Sequence, residues 1–282
     1  MLGKLLKHEW LSTWKVPTAL IIYLCIITLL GCSSFFSPLW KIDSSWVGVL
    51  AGFSLMIYIF SLFAISITIL VYFVVRFYRN LYTSEGYLMH TLPVKSWHHI
   101  VSKGLIYCVW AVMTVIAIVV SVLCLFASVL YSVADVSLHE LMTVLQRELP
   151  RLLPEMAAMF QQEMGMSVSG YVFLMLLTAL VGMIYAILII YASISIGQTF
   201  NKHKVIASFI AYAVINIVLQ LVQSFIQIPM LIFRTEKLSG ASITVGNVVT
   251  PSLWINLVIN LVCILAFYFL TEFLMRRKLN LD

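Results

Sequence analysis

Charge is scarce in this chain. Only 10% of its 282 residues are Asp, Glu, Lys or Arg, whereas soluble domains carry about 25%. Hydrophobic residues make up 62%, and the mean hydropathy is +1.06. A water-soluble globular domain is thereby excluded, and an integral membrane protein is expected. Several kinds of chemistry are missing as well. No GxxxxGK[ST] occurs, so the chain cannot cradle ATP phosphates by itself. No HExxH, no paired intramembrane carboxylates and no Ser/His/Asp grouping lies at span depth, which argues against an intramembrane protease. No acid, Lys, Arg or His falls near the middle of any apolar run, a position where ion-driven transporters generally need one. The five cysteines (Cys25, Cys32, Cys108, Cys124 and Cys263) all sit in apolar runs and form no CxxC pair, so they read as small core residues. His98 and His99 are adjacent but lack further ligands, and no metal site is expected. The chain carries no catalytic residues and is not expected to be an enzyme by itself.

Long apolar runs are abundant. A helix needs roughly 20 apolar residues to cross a ~30 Å hydrocarbon core. Six stretches qualify: 17–36, 47–75, 104–131, 168–197, 205–233 and 251–274. They are continuously apolar rather than alternating, which favours helices over a barrel. The fold class expected is an all-α polytopic membrane protein, a single transmembrane domain over 1–282. If the N-terminus is cytoplasmic, Lys4, Lys7, Lys15, Arg76, Arg79, Lys95, Lys103, Lys202, Lys204, Arg276, Arg277 and Lys278 lie inside. Lys41, Arg147, Arg151, Arg234 and Lys237 lie outside, and twelve against five places both termini in the cytoplasm. The net charge of +6 then reflects topology and anionic membrane lipid, with no nucleic-acid partner required. Leu29-Leu30-Gly31-Cys32 resembles a lipoprotein cleavage box, but cleavage would leave an odd number of spans and spoil the charge asymmetry.

Between the spans, three segments have their own organisation. Residues 2–15 place Leu2, Leu5, Leu6, Trp10, Thr13 and Trp14 at helical spacing, with Lys4, Lys7, His8, Ser12 and Lys15 mostly opposite. This reads as an amphipathic helix in the inner interface, followed by Pro17 in the first turn of the next helix. The segment 132–167 opens with a capping box, Ser137 and Glu140, and repeats Leu138, Leu141, Met142, Leu145, Leu149, Leu152, Leu153, Met156 and Phe160 at helical spacing. One amphipathic helix, or two broken near Pro150 and Pro154, is expected on the outer side. The inner loop from Arg76 to Lys103 is long and polar. In it Ser84 can cap a helix that Pro93 ends, and Tyr87, Leu88, Met89 and Leu92 present an apolar knob suited to anchoring a partner.

Two polar stripes run along spans. In the second, Ser54, Tyr58, Ser61, Thr68 and Tyr72 share one narrow face; in the fifth, Tyr212, Asn216, Gln220, Gln223 and Gln227 do the same. Amides are costly against lipid, so the second set should face protein or a wet path. Interhelical hydrogen bonding, at about 0.6 kcal/mol per pair, explains any single one of them. Four amides with a tyrosine on one face point to a translocation surface. Asn256 and Asn260 in the sixth span read as interhelical contacts.

From the basic start KLLKHEWLSTWK through six spans and the inner loop, the chain resembles the permease subunits of bacterial type-2 ATP-binding-cassette (ABC) transporters. The loop residues that carry the resemblance are Phe77 and Tyr78, Glu85-Gly86-Tyr87-Leu88, Thr91-Leu92-Pro93, and Lys103 entering the third span. The resemblance implies that Glu85, Gly86, Tyr87, Leu88, Met89, Thr91, Leu92 and Pro93 form a coupling helix seated in a separate ABC ATPase, which uses ATP and Mg while this chain binds no cofactor. It also implies a pair of permeases, as second copy or paralogue, with their second and fifth spans beside the shared path. One departure stands out: the large outer segment follows the third span, whereas the better-known members place outer helices between the fifth and sixth. The expected function is export of a hydrophobic or amphiphilic substrate (peptide, antibiotic or lipid-like) across the cytoplasmic membrane. A gradient-driven secondary transporter and a membrane sensor or scaffold are the alternatives.

Overall fold

The computed structural model describes residues 2–36, 45–83, 96–134, 138–200, 202–237 and 245–277. Among them the chain forms eight helices and no strand: α1 Leu2–Thr13, α2 Lys15–Phe36, α3 Ser45–Tyr82, α4 Ser96–Ala134, α5 Leu138–Met164, α6 Val168–Gly197, α7 Lys204–Lys237 and α8 Val245–Arg277. Six of these, α2, α3, α4, α6, α7 and α8, are long and apolar enough to cross a membrane. The architecture is that of an all-helical, multi-pass membrane protein, because in hydrocarbon each helix satisfies its own backbone.

Several boundaries differ from the apolar runs. α3 continues through Arg76 and Arg79 to Tyr82, and α4 begins at Ser96, eight residues before the apolar run does. Hydropathy marks only the part of a helix that lipid can cover; helical hydrogen bonding continues past it. α5 is one helix with both Pro150 and Pro154 inside, and α8 likewise runs through Pro251. The connection expected over 234–250 is shortened from both ends, by α7 reaching Lys237 and α8 starting at Val245. Ser137, the expected cap of α5, lies outside the described residues. α1 and α2 are separate helices joined at Trp14, and Pro17 sits in the first turn of α2, where its missing N–H has no intrahelical partner to lose.

The chain divides into two compact units, Met1–Arg76 with Leu105–Arg147, and Phe77–Gly104 with Glu148–Asp282. In the first unit α2, α3 and α4 meet at Ser121. Its hydroxyl lies 2.6 Å from that of Thr28 and 2.5 Å from that of Tyr58, while Tyr58 and Leu125 form an apolar cluster with Ile27, Cys32, Leu55, Leu62 and Val129 around them. In the second unit α6 is central and packs on both α7 and α8. Its last residues, Tyr191 to Ser195, are buried on every side, while most of the helix before them is open, as suits an all-round apolar helix that can face lipid. Phe77 stacks on Tyr191 with ring centroids 3.5 Å apart, and the Tyr82 and Ser195 hydroxyls are 2.6 Å apart.

Two glycines do work that other residues cannot. Gly165 ends α5 with φ +68°, a conformation L side chains rarely adopt, and its N–H bonds the Gln161 carbonyl at 2.9 Å. Gly197 lies against Ser208 at the α6–α7 connection: a Cβ there would come 2.6 Å from the Ser208 backbone nitrogen. Gly197→Ala should therefore cost about 1–3 kcal/mol through overpacking. Gly182, in the same helix, has nothing within 4 Å of an added Cβ. Thermal unfolding in detergent should show a lowered midpoint for Gly197→Ala and none for Gly182→Ala; equal midpoints would mean that the α6–α7 contact is not as close as described.

Candidate functional site

Among the described residues the polar chemistry gathers in three places. The first is in the first unit, where the end of α3 meets α1. Arg76 Nε donates to Glu9 Oε1 at 3.2 Å, and its Nη2 donates to the Ser12 hydroxyl at 2.6 Å. Its Nη1 reaches the Ser12 carbonyl at 3.1 Å and the Tyr72 hydroxyl at 3.3 Å. The side chains are only 15% and 6% exposed for Arg76 and Glu9, so the pair is desolvated. Around it, Trp10 stacks on Trp110 at 4.9 Å and Phe73 on Tyr107 at 4.5 Å. The helix spacing of α1 put Thr13 on the apolar face, and it is buried, its hydroxyl bonding the Glu9 carbonyl at 2.5 Å. Glu9 itself carried no signal in the sequence, because its partner is 67 residues away.

The α3 stripe lies in the same unit. Tyr58 and Ser61 are buried: Tyr58 bonds Ser121, and Ser61 donates to the Tyr58 carbonyl at 2.7 Å. Thr68 is exposed and bonds back to the Ala64 carbonyl at 2.7 Å. Tyr72 is half-buried beside Arg76, and Ser54 is half-buried. The upper part of this stripe is therefore engaged in packing α2, α3 and α4 together.

The α7 stripe, in the second unit, is different. None of the most apolar window of α7 is buried. Tyr212 is 41% exposed, Gln220 is exposed, and Asn216, Gln223 and Gln227 are half-exposed. Asn216 donates to the Tyr212 carbonyl at 2.8 Å, but the side chains of Gln220, Gln223 and Gln227 make no hydrogen bond among the described residues. Asn260 of α8, in contrast, is buried.

The third place is the α3–α4 and α6 ends of the second unit. His99 and Lys103, one turn apart at the start of α4, are buried, with Lys103 only 1% exposed. Lys103 is among the basic residues expected on the cytoplasmic side, and its burial was not legible. Gln198, at the end of α6, is buried with neither side-chain amide atom paired. The expected coupling residues Glu85, Gly86, Tyr87, Leu88, Met89, Thr91, Leu92 and Pro93 lie outside the described residues. Among the described residues no three His, Cys, Asp or Glu side chains group as metal ligands, and all five cysteines are free.

Compared with known proteins, the chain matches no family model, no curated protein and no solved structure.

The Glu9–Arg76 pair gives a direct test of the first cluster. Removing one partner of a buried pair leaves an uncompensated charge, at a cost on the order of 3 kcal/mol. Arg76→Met or Glu9→Leu alone should lower the unfolding midpoint in detergent clearly, and the double replacement should recover much of the loss. Additive losses would show that the two side chains are not coupled.

Proposed function

We propose that this chain is the permease subunit of an ATP-driven exporter of the type-2 ABC class. Two permease chains would enclose a path through the bilayer, and a separate ATPase would supply the energy. The observation that carries the reading is the α7 stripe. Three glutamine side chains, one exposed and two half-exposed, make no hydrogen bond among the described residues on a helix long and apolar enough to cross a membrane. A glutamine amide facing hydrocarbon forfeits its hydrogen bonds, which costs several kcal/mol per group in that solvent. Such a face is stable only against a second protein surface or a water-filled path. A pathway lined by amides and Tyr212 would suit a substrate with both polar and apolar parts, such as a hydrophobic peptide, an antibiotic or a lipid-like molecule.

In this reading Glu85–Pro93 meets the ATPase in the cytoplasm, and α1 lies in the inner interface of the cytoplasmic membrane. The ATPase binds and hydrolyses ATP with Mg, and this chain contributes the surface that receives the movement. α3 and α4 flank the coupling segment, so displacement of 84–95 would act on the ends of two long helices. Of the α3 stripe, Ser54, Thr68 and Tyr72 remain candidates for the path, while Tyr58 and Ser61 serve helix packing.

The test is a mild-detergent pull-down of the chain from its native membrane, with mass spectrometry of what accompanies it. A stoichiometric ABC ATPase is expected, and it should be lost on replacing Tyr87 and Leu88 with Asp while the permease remains folded. A chain that repeatedly purifies alone would overturn the coupling assignment. Independently, Gln220→Leu with Gln223→Leu should leave the ATPase bound and reduce substrate export; export at the parental rate would remove α7 from the path.

A further inference from the structure

The helix between the third and fourth spans, α5, has a role that the transport reading does not absorb. Most of its second half is open, Ala157, Phe160 and Met164 being the half-buried residues from 150 to 164. At 100° per residue, Leu152, Met156 and Met159 lie within about 60° of one another on one face, and exposed Glu163 closes that face near the C-terminal end of the helix. They are 48%, 63% and 67% exposed. Arg151, Glu155 and Gln162 cluster on another face, and they are exposed too. Exposure of the polar face is ordinary. Exposure of three long apolar side chains in a row leaves a stripe that is more stable covered than in water.

The neighbouring arc of the same helix is already covered. Phe160 packs edge-on against Tyr171 of α6, with ring centroids 5.2 Å apart. The Met164 carbonyl accepts from the Thr250 hydroxyl at 3.3 Å, and the backbone of Gly246 lies against the backbone of Met164. The far end of α5 is thus fastened to the starts of α6 and α8, leaving the Leu152–Met156–Met159 stripe beside this contact and unpaired.

What covers the stripe follows from where the chain holds it. α4 ends at Ala134 and α5 begins at Leu138; α5 ends at Met164 and α6 begins at Val168. Both ends of α5 are therefore within a few residues of membrane-spanning helices, which keeps the helix at the level where the bilayer meets water. The apolar surface available all along that level is the lipid itself. A protein partner is a poor fit, because a stable interface buries at least about 1,200 Å² in total and three side chains supply a small fraction of that.

We propose that α5 lies along the bilayer surface with Leu152, Met156 and Met159 inserted among the acyl chains just below the phosphates. Its ligand is the phospholipid surface. Arg147 and Arg151 are offset by Glu148, Glu155 and Glu163, so insertion depends on apolar area and not on anionic headgroups. Because α5 is bonded to α8 through Thr250 and leads into α6 through the Ser167 cap, it holds the ends of both spans at a set depth.

The proposal is tested on the full-length chain in nanodiscs of pure phosphatidylcholine. The five cysteines are replaced by alanine, and spin labels are placed singly at Met156→Cys, Met159→Cys, Arg151→Cys and Gln162→Cys. Collision with oxygen, which favours lipid, is compared with collision with a water-soluble nickel chelate. The first two labels should show an oxygen-to-nickel ratio several-fold above that of the last two. Nickel access at 156 and 159 equal to that at 151 and 162 would place the stripe in water and overturn the proposal. Spin–spin broadening between labels at 156 that disappears when each nanodisc holds one chain would also overturn it, in favour of a second copy. Two positions on each face keep the outcome readable if one variant fails to fold.

Discussion

Hydrogen bonding in a solvent that offers none governs this structure. In hydrocarbon, a backbone N–H or carbonyl left unpaired costs several kcal/mol, so each span closes its own ladder. The side-chain hydroxyls obey the same constraint locally. Thr28, Ser66, Thr68, Thr114, Ser193, Ser224 and Thr271 each donate to the carbonyl four residues earlier. A hydroxyl satisfied in this way asks nothing of its neighbours, and it can face lipid or protein. A glutamine reaches farther and carries both donors and an acceptor, so it is not silenced so simply. That difference separates the back-bonded hydroxyls of Ser66 and Thr68 on α3 from the glutamine amides of α7.

Where polar groups do bond across helices, they fix which helices belong together. Ser121 ties α4 to α2 and α3 through Thr28 and Tyr58, and Tyr82 ties the end of α3 to α6 through Ser195. Each such bond is worth only about 0.6 kcal/mol in a membrane protein. Their value is specificity, since apolar helices in lipid gain little from one neighbour over another. The Glu9–Arg76 pair is the strongest case. Arg76 distributes its donors over Glu9, Ser12 and Tyr72, a geometry that a lysine could not reproduce.

The spans were legible because a run of some 20 apolar residues has one meaning in a protein, and all six runs are helices here. Their ends were not. Arg76 and Arg79 look like the end of a helix to a hydropathy count, yet α3 passes through both, because backbone hydrogen bonding does not stop where apolar side chains do. The α7 stripe was legible from spacing alone, since periodicity reports a shared face. Spacing could not tell that the matching stripe on α3 would be half spent on Ser121, because that partner lies 63 residues from Tyr58 in the chain. Pro150 and Pro154 left one helix or two open, and α5 is one. Buried Lys103 gave no warning, because a lysine at a span's end is the usual sign of an exposed anchor.

The pin between α1 and α3 sits near one end of a span of 31 residues, Gly52–Tyr82. At 1.5 Å per residue that span is about 46 Å long, against roughly 30 Å of hydrocarbon. The turns from Arg76 to Tyr82 can reach past the hydrocarbon, and what surplus remains is taken up by tilt or by local thickening of the lipid. With one end tied to α1, the other end makes the adjustment. Bilayer thickness thereby becomes a variable that the protein registers as an angle, so the same chain would sit differently in a thin membrane and in a thick one.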